Sequence, residues 1–182
     1  MKFKRLEIAD IIEISPEKIK DNRGYFMETF RNDKLNSFLG YSVNFCQENE
    51  TKSNYGVVRG LHYQIGTSCQ AKLVRVTSGA VLDVVVDIRK DSPTFGKYIS
   101  IELSAENRKM LFIPKGFAHG FMVLRDNTIF SYKVDNYYNP EDERGIIYND
   151  KDLNIDWKIS KDRIKLSKKD SNLPPLRKIN CL

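Results

Sequence analysis

Cysteine, histidine and long apolar segments are scarce in this chain of 182 residues, and each shortage excludes a class of protein. The three cysteines, Cys46, Cys69 and Cys181, form no CxxC pair, and their odd number argues against a disulfide framework and against a zinc site. Reduced thiols favour a cytoplasmic location. No apolar stretch approaches the ~18 residues that cross a membrane, and charges occupy the N-terminus where a signal peptide is apolar. We therefore expect no membrane insertion and no cleaved leader.

Nucleotide-binding motifs and clustered charge are also missing. The sequence contains no GxGxxG fingerprint, no P-loop and no nucleophile elbow, so dinucleotide and phosphoryl-transfer chemistry has no support. The net charge is +6, but the basic residues are spread among 24 acidic ones, and the densest basic stretch, residues 158–169, includes Asp162. This distribution indicates a solvated surface rather than a nucleic-acid partner, and a modest positive excess suits a small anionic substrate.

Short runs rich in β-branched residues alternate with turn residues along most of the chain, which predicts an all-β domain. One helix is predicted over residues 34–39, with Asn32 or Asp33 as its N-cap and Gly40 at its end. So many strands with so few short helices indicate a jelly-roll sandwich or barrel formed by one domain, residues 1–182, with an irregular C-terminal tail from about Asn149. The predicted strands are 11–14, 43–48, 72–76, 81–87, 98–103, 109–113, 121–124 and 128–134.

The two histidines lie in the segments richest in reactive side chains. His62 follows Arg59 in a glycine-flanked, strand-like stretch, residues 56–64, and His119 lies in residues 113–121. A histidine exchanges protons near pH 7 and an arginine binds anions, so these residues suggest proton chemistry on an anionic substrate. A functional His62 needs a carboxylate to orient its ring; otherwise it is a buried, hydrogen-bonded core residue. Spacing does not separate the candidate carboxylates, which are Asp83, Asp87 and Asp170.

Two residues with ionisable side chains, Lys72 and Tyr132, lie among apolar side chains on predicted strands. By the strand period of two, Lys72 shares a face with Val74 and Val76, so it either snorkels at a sheet edge or lines a cavity and meets an anion. Tyr132 shares a face with Phe130, so it is either core packing or a phenol that faces a cavity and acts as a general acid.

Three further segments have a structural interpretation. Residues 21–30 are consistent with a hairpin that carries salt bridges, and residues 47–49 suit either a turn or hydrogen bonds to a ligand. The tyrosine pair at 137–138 is expected to close a loop.

A metal site is disfavoured because such sites gather two or three histidines and a carboxylate, whereas this chain has only two histidines and no His-x-His pair.

Several segments match one family, in order along the chain. They are Asp21-Asn-Arg-Gly-Tyr-Phe-Met-Glu28, Gln47-Glu-Asn49, Val58-Arg-Gly-Leu-His-Tyr-Gln64, Gln70-Ala-Lys-Leu-Val-Arg75, Val86-Asp-Ile-Arg-Lys-Asp-Ser-Pro-Thr-Phe-Gly96, Ile113-Pro-Lys-Gly-Phe-Ala-His-Gly-Phe121 and Tyr132-Lys133. With these segments the chain resembles the dTDP-4-dehydrorhamnose 3,5-epimerase family, cupin-type jelly-roll enzymes of deoxysugar nucleotide synthesis.

The resemblance implies a role for four catalytic residues. His62 is the base that removes protons next to the C4 ketone of the sugar, and Asp170 orients it. Tyr132 is the acid that returns a proton from the opposite face, and Lys72 stabilises the enolate oxygen. This division is chemically sound, because a proton next to a ketone is removable only when the enolate is stabilised, and inversion needs two different proton-transfer groups. No metal and no other cofactor is required.

The resemblance also implies a substrate site, a substrate and an assembly. Two arginines hold the diphosphate of a dTDP-4-keto-6-deoxyhexose, and two chains form a homodimer in which N-terminal strands pair. The implied substrate-binding residues are Arg23, Phe26, Glu28, Gln47, Asn49, Arg59, His119, Glu143 and Lys169.

The implied reaction is inversion of C3 and C5 of dTDP-4-dehydro-6-deoxy-D-glucose to give dTDP-4-dehydro-L-rhamnose, for rhamnose-containing cell-surface polysaccharide such as O-antigen. The chain departs from the family pattern at Glu48, where aspartate is usual, at Tyr148, where tryptophan is common, and by one extra residue between Trp157 and Asp170. Three alternatives stay open: an epimerase that inverts only C3 or only C5, a metal-dependent cupin enzyme, and a non-catalytic jelly roll that binds sugar nucleotides.

Overall fold

The computed structural model describes residues 1–179, so Cys181 lies outside the described part of the chain. Within residues 1–179, the α-helix α1 covers Asn32–Leu39, and short 3₁₀ turns cover Gly66–Ser68, Pro140–Asp142, Lys161–Arg163, Asp170–Asn172 and Leu176–Lys178. The strands are β1 (Lys2–Arg5), β2 (Ile12–Ser15), β3 (Lys18–Asp21), β4 (Gly24–Met27), β5 (Gln47–Ser53), β6 (Val58–Gln64), β7 (Lys72–Ser78), β8 (Ala80–Asp87), β9 (Tyr98–Ser104), β10 (Met110–Ile113), β11 (Phe117–Val123), β12 (Thr128–Val134) and β13 (Glu143–Gly145).

Two antiparallel sheets face each other and form the predicted jelly-roll sandwich. One sheet has the strand order β1-β2-β10-β7-β12-β5, and the other has the order β13-β6-β11-β8-β9. Strands β3 and β4 form a separate two-stranded hairpin, as the interpretation of residues 21–30 allowed, and Arg23 pairs with Asp21 within it at 2.6 Å. Within residues 1–179, no helix is long and apolar enough to span a membrane.

Strand β8 is buried along its whole length because both of its faces are covered. Val81 and Val85 pack between the sheets, in a core that also contains Val74 of β7. Val84 packs on the opposite side, against Trp157 of the C-terminal segment. Burial is worth about 1.5–3 kcal/mol for each fully buried aliphatic side chain, so it holds the tail on the outside of the five-stranded sheet. This attachment brings the tail, which carries Asp170, to the sandwich.

The predicted strands correspond to β2, β5 and β7–β12, but β11 begins early and β5 is displaced at both ends, since it extends to Ser53 instead of ending at 48. Strand β5 begins at Gln47 instead of 43, because Val43 packs in the cluster around α1 and its N–H donates to the Asn36 side chain at 3.0 Å. Strand β11 begins at Phe117 instead of 121. Two strands were not predicted: β1 is largely exposed and lacks the apolar alternation on which strand prediction depends, and β13 has only three residues.

Helix α1 begins earlier than predicted and ends as predicted. Its N-cap is Arg31, with no side-chain cap hydrogen bond, so the prediction that Asn32 or Asp33 caps the helix is wrong. Asp33 lies inside the first turn, where its carboxylate pairs with Arg31 at 2.6 Å. Gly40 ends the helix with φ 80°, a left-handed conformation that glycine adopts at little cost.

Candidate active site

A cavity of about 360 Å³ opens between the two sheets and is lined mainly by polar side chains. Strands β5, β7 and β12 contribute from one sheet, and β6, β11 and β13 contribute from the other. Nine of the predicted site residues line it: Gln47, Asn49, Arg59, His62, Lys72, His119, Tyr132, Glu143 and Asp170.

His62 and Asp170 form a hydrogen-bonded pair at the cavity wall. The distance from His62 Nε2 to Asp170 Oδ1 is 2.6 Å. Burial raises the pKa of the Asp170 carboxyl, but the hydrogen bond from His62 and its charge outweigh burial and lower that pKa overall. Asp170 is therefore a buried carboxylate held against the imidazole. Of the three candidate partners for His62, Asp87 instead binds Arg89 at 2.6 Å, and Asp83 binds His119.

Lys72 lines the cavity and does not snorkel to a sheet edge. It is 9% exposed, on the same face of β7 as Val74, and its Nζ lies 3.4 Å from the carbonyl oxygen of His62. Burial lowers the pKa of Lys72 to about 8, against the opposing effect of the charges of Asp83 and Glu143. The cavity therefore contains an ammonium group with little solvation of its own.

Tyr132 presents its phenol to the same cavity from β12, directly across the ladder from Asn49 of β5. Burial raises the pKa of Tyr132 above its ordinary value of 10.0. The phenol is therefore protonated near neutral pH and has a proton to give, although its ring also packs against the core around Phe130. Both interpretations of this tyrosine, core packing and cavity lining, are correct.

His119 is held by a buried carboxylate. Its Nε2 lies 2.9 Å and 3.1 Å from the two carboxylate oxygens of Asp83, which is 0% exposed. The ring also stacks on Phe130, with centroids 6.0 Å apart. Each histidine of the chain thus has its own carboxylate, and within residues 1–179 no group of three or more His, Cys, Asp or Glu side chains is placed to hold a metal ion.

Two glycines bring the histidine strands together. His62 of β6 lies opposite His119 of β11, next to an irregularity in the register. A Cβ at Gly120 would lie 2.7 Å from the carbonyl oxygen of Arg59, and one at Gly60, where φ is 114°, would lie 2.6 Å from Gly120 Cα. Only glycine permits this approach, so the glycines near His62 and His119 have a steric function.

The mouth of the cavity is charged. The exposed Arg59 donates from Nε and Nη2 to Ser53 Oγ, at 3.2 and 3.1 Å. Glu143 Oε2 accepts hydrogen bonds from Tyr138 Oη, at 2.5 Å, and from Lys169 Nζ. Lys169 therefore reaches the site through Glu143.

Four predicted substrate-binding residues do not line this cavity: Lys169, which contacts it through Glu143, and three residues at or next to the hairpin of β3 and β4. Arg23 and Phe26 belong to the exposed hairpin of β3 and β4, where Phe26 is 65% exposed. Glu28 follows the hairpin and pairs with Arg31 at 2.9 Å and with Lys34 at 3.3 Å. Their assignment stays a prediction.

Sequence reasoning missed several lining residues. Thr51 follows Gln47 and Asn49 at the strand period of two, so extending β5 by that period would have found it. Tyr138, expected only to close a loop, also lines the cavity. The remaining additional lining residues are Tyr63, Gln64, Gln70, Gly120, Phe121 and Phe130, all but Phe130 within or next to the matched segments.

A sequence profile described as dTDP-4-dehydrorhamnose 3,5-epimerase matches residues 5–178 of the chain. The chain belongs to the dTDP-4-dehydrorhamnose 3,5-epimerase family. The enzyme of that name from Escherichia coli K12 is 49% identical over 169 residues, which are 93% of this chain and 91% of the relative.

Solved structures of this epimerase family share the cupin-like jelly roll. A dTDP-6-deoxy-D-glucose-3,5-epimerase of Legionella pneumophila, in complex with dTDP-4-keto-L-rhamnose, is 43% identical with a TM-score of 0.94, covering 98% of this chain and 94% of that one. A 3′-monoepimerase from Streptomyces bikiniensis, in complex with dTDP-quinovose, is 33% identical with a TM-score of 0.87, covering 94% of this chain and 86% of that one.

Proposed function

We propose that this chain is a dTDP-4-dehydrorhamnose 3,5-epimerase, which converts dTDP-4-dehydro-6-deoxy-D-glucose into dTDP-4-dehydro-L-rhamnose. The observation that carries the proposal is that His62, Lys72 and Tyr132 line one cavity between the sheets. A base, a cation and an acid are the three groups that inversion next to a ketone requires.

His62 removes the proton from the carbon next to the C4 ketone. Because Nε2 is bonded to Asp170, the nitrogen that receives the substrate proton is Nδ1. Asp170 fixes the tautomer and the ring orientation, and its negative charge stabilises the imidazolium that forms.

Lys72 stabilises the enolate that deprotonation produces. As the C–H electron pair moves into the C–C bond, negative charge builds up on the C4 oxygen, and the buried ammonium of Lys72 compensates for that charge. Such electrostatic stabilisation is strongest where water is excluded, which matches the 9% exposure of this lysine.

Tyr132 returns a proton to the same carbon from the other face, which inverts the configuration. The phenol becomes a phenolate as the enolate becomes a ketone again, and proton exchange with solvent then resets His62 and Tyr132. The same sequence of steps applies at C3 and at C5, because both carbons are adjacent to the C4 ketone.

The nucleotide diphosphate is held by Arg59, since guanidinium groups bind phosphate oxygens in a bidentate manner. Gln47, Asn49, His119, Glu143 and Lys169 complete the site. The Legionella relative binds dTDP-4-keto-L-rhamnose, and the relatives named 3,5-epimerase that are compared above are more similar to this chain than the monoepimerase is. These similarities support inversion at both carbons.

The experiment that tests this function is proton NMR in heavy water with the dTDP-ketosugar. We expect deuterium to enter at C3 and C5 and both centres to invert. Exchange and inversion at one carbon would identify a monoepimerase instead. Binding without exchange would identify a non-catalytic jelly roll, and activity lost to chelators, together with stoichiometric metal, would identify a metal-dependent enzyme.

We also propose that the chain works as a homodimer. Arg23, Phe26 and Glu28 can reach substrate only if a second chain presents them, because they lie outside the cavity of their own chain. The hairpin of β3 and β4 exposes Ile19 (63%) and Phe26 (65%), and apolar side chains this exposed favour burial in an interface.

Sedimentation velocity at micromolar concentration tests the homodimer. We expect a species of twice the chain mass of 21.1 kDa, and a shift toward monomer in Phe26→Asp, which places a charge in the contact. Glu17→Asp, on an exposed side chain that precedes the hairpin, is the control and should sediment as wild type. A strict monomer for the wild type would contradict the proposal.

We further propose that residues 1–182 form one domain and that the protein is cytoplasmic. The family profile runs through residues 5–178, and both sheets share one core, which supports a single domain. The two described cysteines, Cys46 and Cys69, are free thiols, which suits a reducing compartment.

A further inference from the structure

All three glutamines of the chain bind the backbone of the same short segment, residues 136–139. Gln64 donates from Nε2 to the carbonyl oxygen of Asn139 at 2.6 Å, and its Oε1 accepts from the Asn139 N–H at 3.0 Å. Gln70 donates to the carbonyl oxygen of Asn136 at 2.9 Å, and Gln47 accepts from the Tyr138 N–H at 3.1 Å. Four hydrogen bonds thus join three separate parts of the chain to one loop.

These glutamines line the cavity, but their amides are engaged with protein. Gln64 is 5% exposed, and its amide both donates to and accepts from the backbone of Asn139. A residue of a neighbouring antiparallel strand would make the same pair of hydrogen bonds. Gln47 uses its Nε2 on Asn49 Oδ1, at 2.9 Å, in addition to its bond to Tyr138. A loop without a strand partner needs such acceptors and donors for its backbone.

Residues 135–142, which include this segment, are called the rim loop here. The rim loop leads directly to Glu143, a charged residue of the site. Tyr138 donates its hydroxyl to Glu143 Oε2, and Glu143, which pairs with Gln64 in the ladder of β13 and β6, lines the same cavity as His62 and Lys72. The position of the loop backbone therefore fixes the direction of the Tyr138 hydroxyl and, through it, the direction of the Glu143 carboxylate.

We propose that Gln64, assisted by Gln70 and Gln47, is a positioning residue that holds the rim loop so that Tyr138 and Glu143 are preorganised for substrate. The inference rests on the proposed function, because it concerns binding at that same site. The glutamine amides do not take part in proton transfer. Their loss weakens substrate binding and leaves the chemical step intact.

The test is steady-state kinetics of Gln64→Met, which keeps the length of the side chain and removes both hydrogen bonds. Since the wild type is assayed first, a wild type without epimerase activity would overturn the proposed function and not this inference. With an active wild type, we expect KM to rise about tenfold while kcat stays within about twofold. An unchanged KM, or a loss that falls mainly on kcat, would overturn the inference.

A double-mutant cycle with Tyr138→Phe separates positioning from a general loss of structure. If Gln64 acts through the Tyr138 hydroxyl, Gln64→Met adds less than about twofold to KM once that hydroxyl is gone. An equal effect in both backgrounds would contradict the proposed route.

Two further variants keep the test decisive. If Gln64→Met does not fold, Gln70→Met removes a single bond to the same loop, and the same change in KM is expected on a smaller scale. The matched control is Asn36→Ala, which removes the side-chain bond to the Val43 N–H, away from the cavity. It should lower the unfolding temperature without raising KM.

Discussion

Individual side chains of the site have their protonation states set by what surrounds them. The hydrogen bond from His62 holds Asp170 as a carboxylate, burial disfavours the ammonium of Lys72, and burial keeps the Tyr132 phenol protonated. The types and strand faces of these residues were predictable from the sequence. Spacing alone did not identify the partner of His62, because Asp170 is 108 positions away and three aspartates satisfied the same chemical requirement; the family resemblance implied Asp170.

The pKa of Lys72 predicts where kcat falls on the alkaline side of its pH profile. In the proposed mechanism the ammonium is the active form, and burial lowers its pKa to about 8, so kcat should fall as the pH rises through this value. Lys72→Arg keeps a positive charge throughout that range, so its normalised profile should not fall there. Lys72→Met should lower kcat by about 10²–10³-fold at pH 7. An alkaline fall that is unchanged in Lys72→Arg would assign it to another group.

Among the elements, the close pair β6 and β11 determines the geometry of the site. Gly60 and Gly120 let the backbones approach, which sets His62 opposite His119. Strands with β-branched residues, such as β8, were predictable from the sequence, because both of their faces are apolar. The polar inner face of β5 was not predicted in full, since Thr51 and Ser53 give no apolar alternation.

Gly120→Ala tests the role of this strand pair. The added Cβ would meet backbone atoms that cannot move aside, so we expect a loss of about 1–3 kcal/mol in the free energy of unfolding, together with lower activity per folded molecule. Gly40→Ala is the control, because its Cβ meets nothing within 4 Å and only its left-handed φ is unfavourable. That control should lose stability and keep its activity. Equal activities in the two folded variants would contradict the account.

In the molecule as a whole, parts that are distant in sequence complete one cavity. The C-terminal tail, attached through Trp157 to the outer face of β8, supplies Asp170. The rim loop supplies Tyr138, and the second chain of the proposed homodimer would supply the hairpin with Arg23 and Phe26. Local sequence patterns do not predict how such distant segments come together, because no spacing rule relates the C-terminal tail to β6.

The central claim is that two groups, His62 and Tyr132, move protons on opposite faces of one ketosugar. Its most direct test is the rate of deuterium incorporation from heavy water at C3 and C5 in His62→Ala and Tyr132→Phe. We predict that His62→Ala loses exchange by about 10²–10⁴-fold, whereas Tyr132→Phe keeps exchange and is impaired mainly in completed inversion. Exchange at the wild-type rate in His62→Ala would show that another residue is the base and would contradict the account.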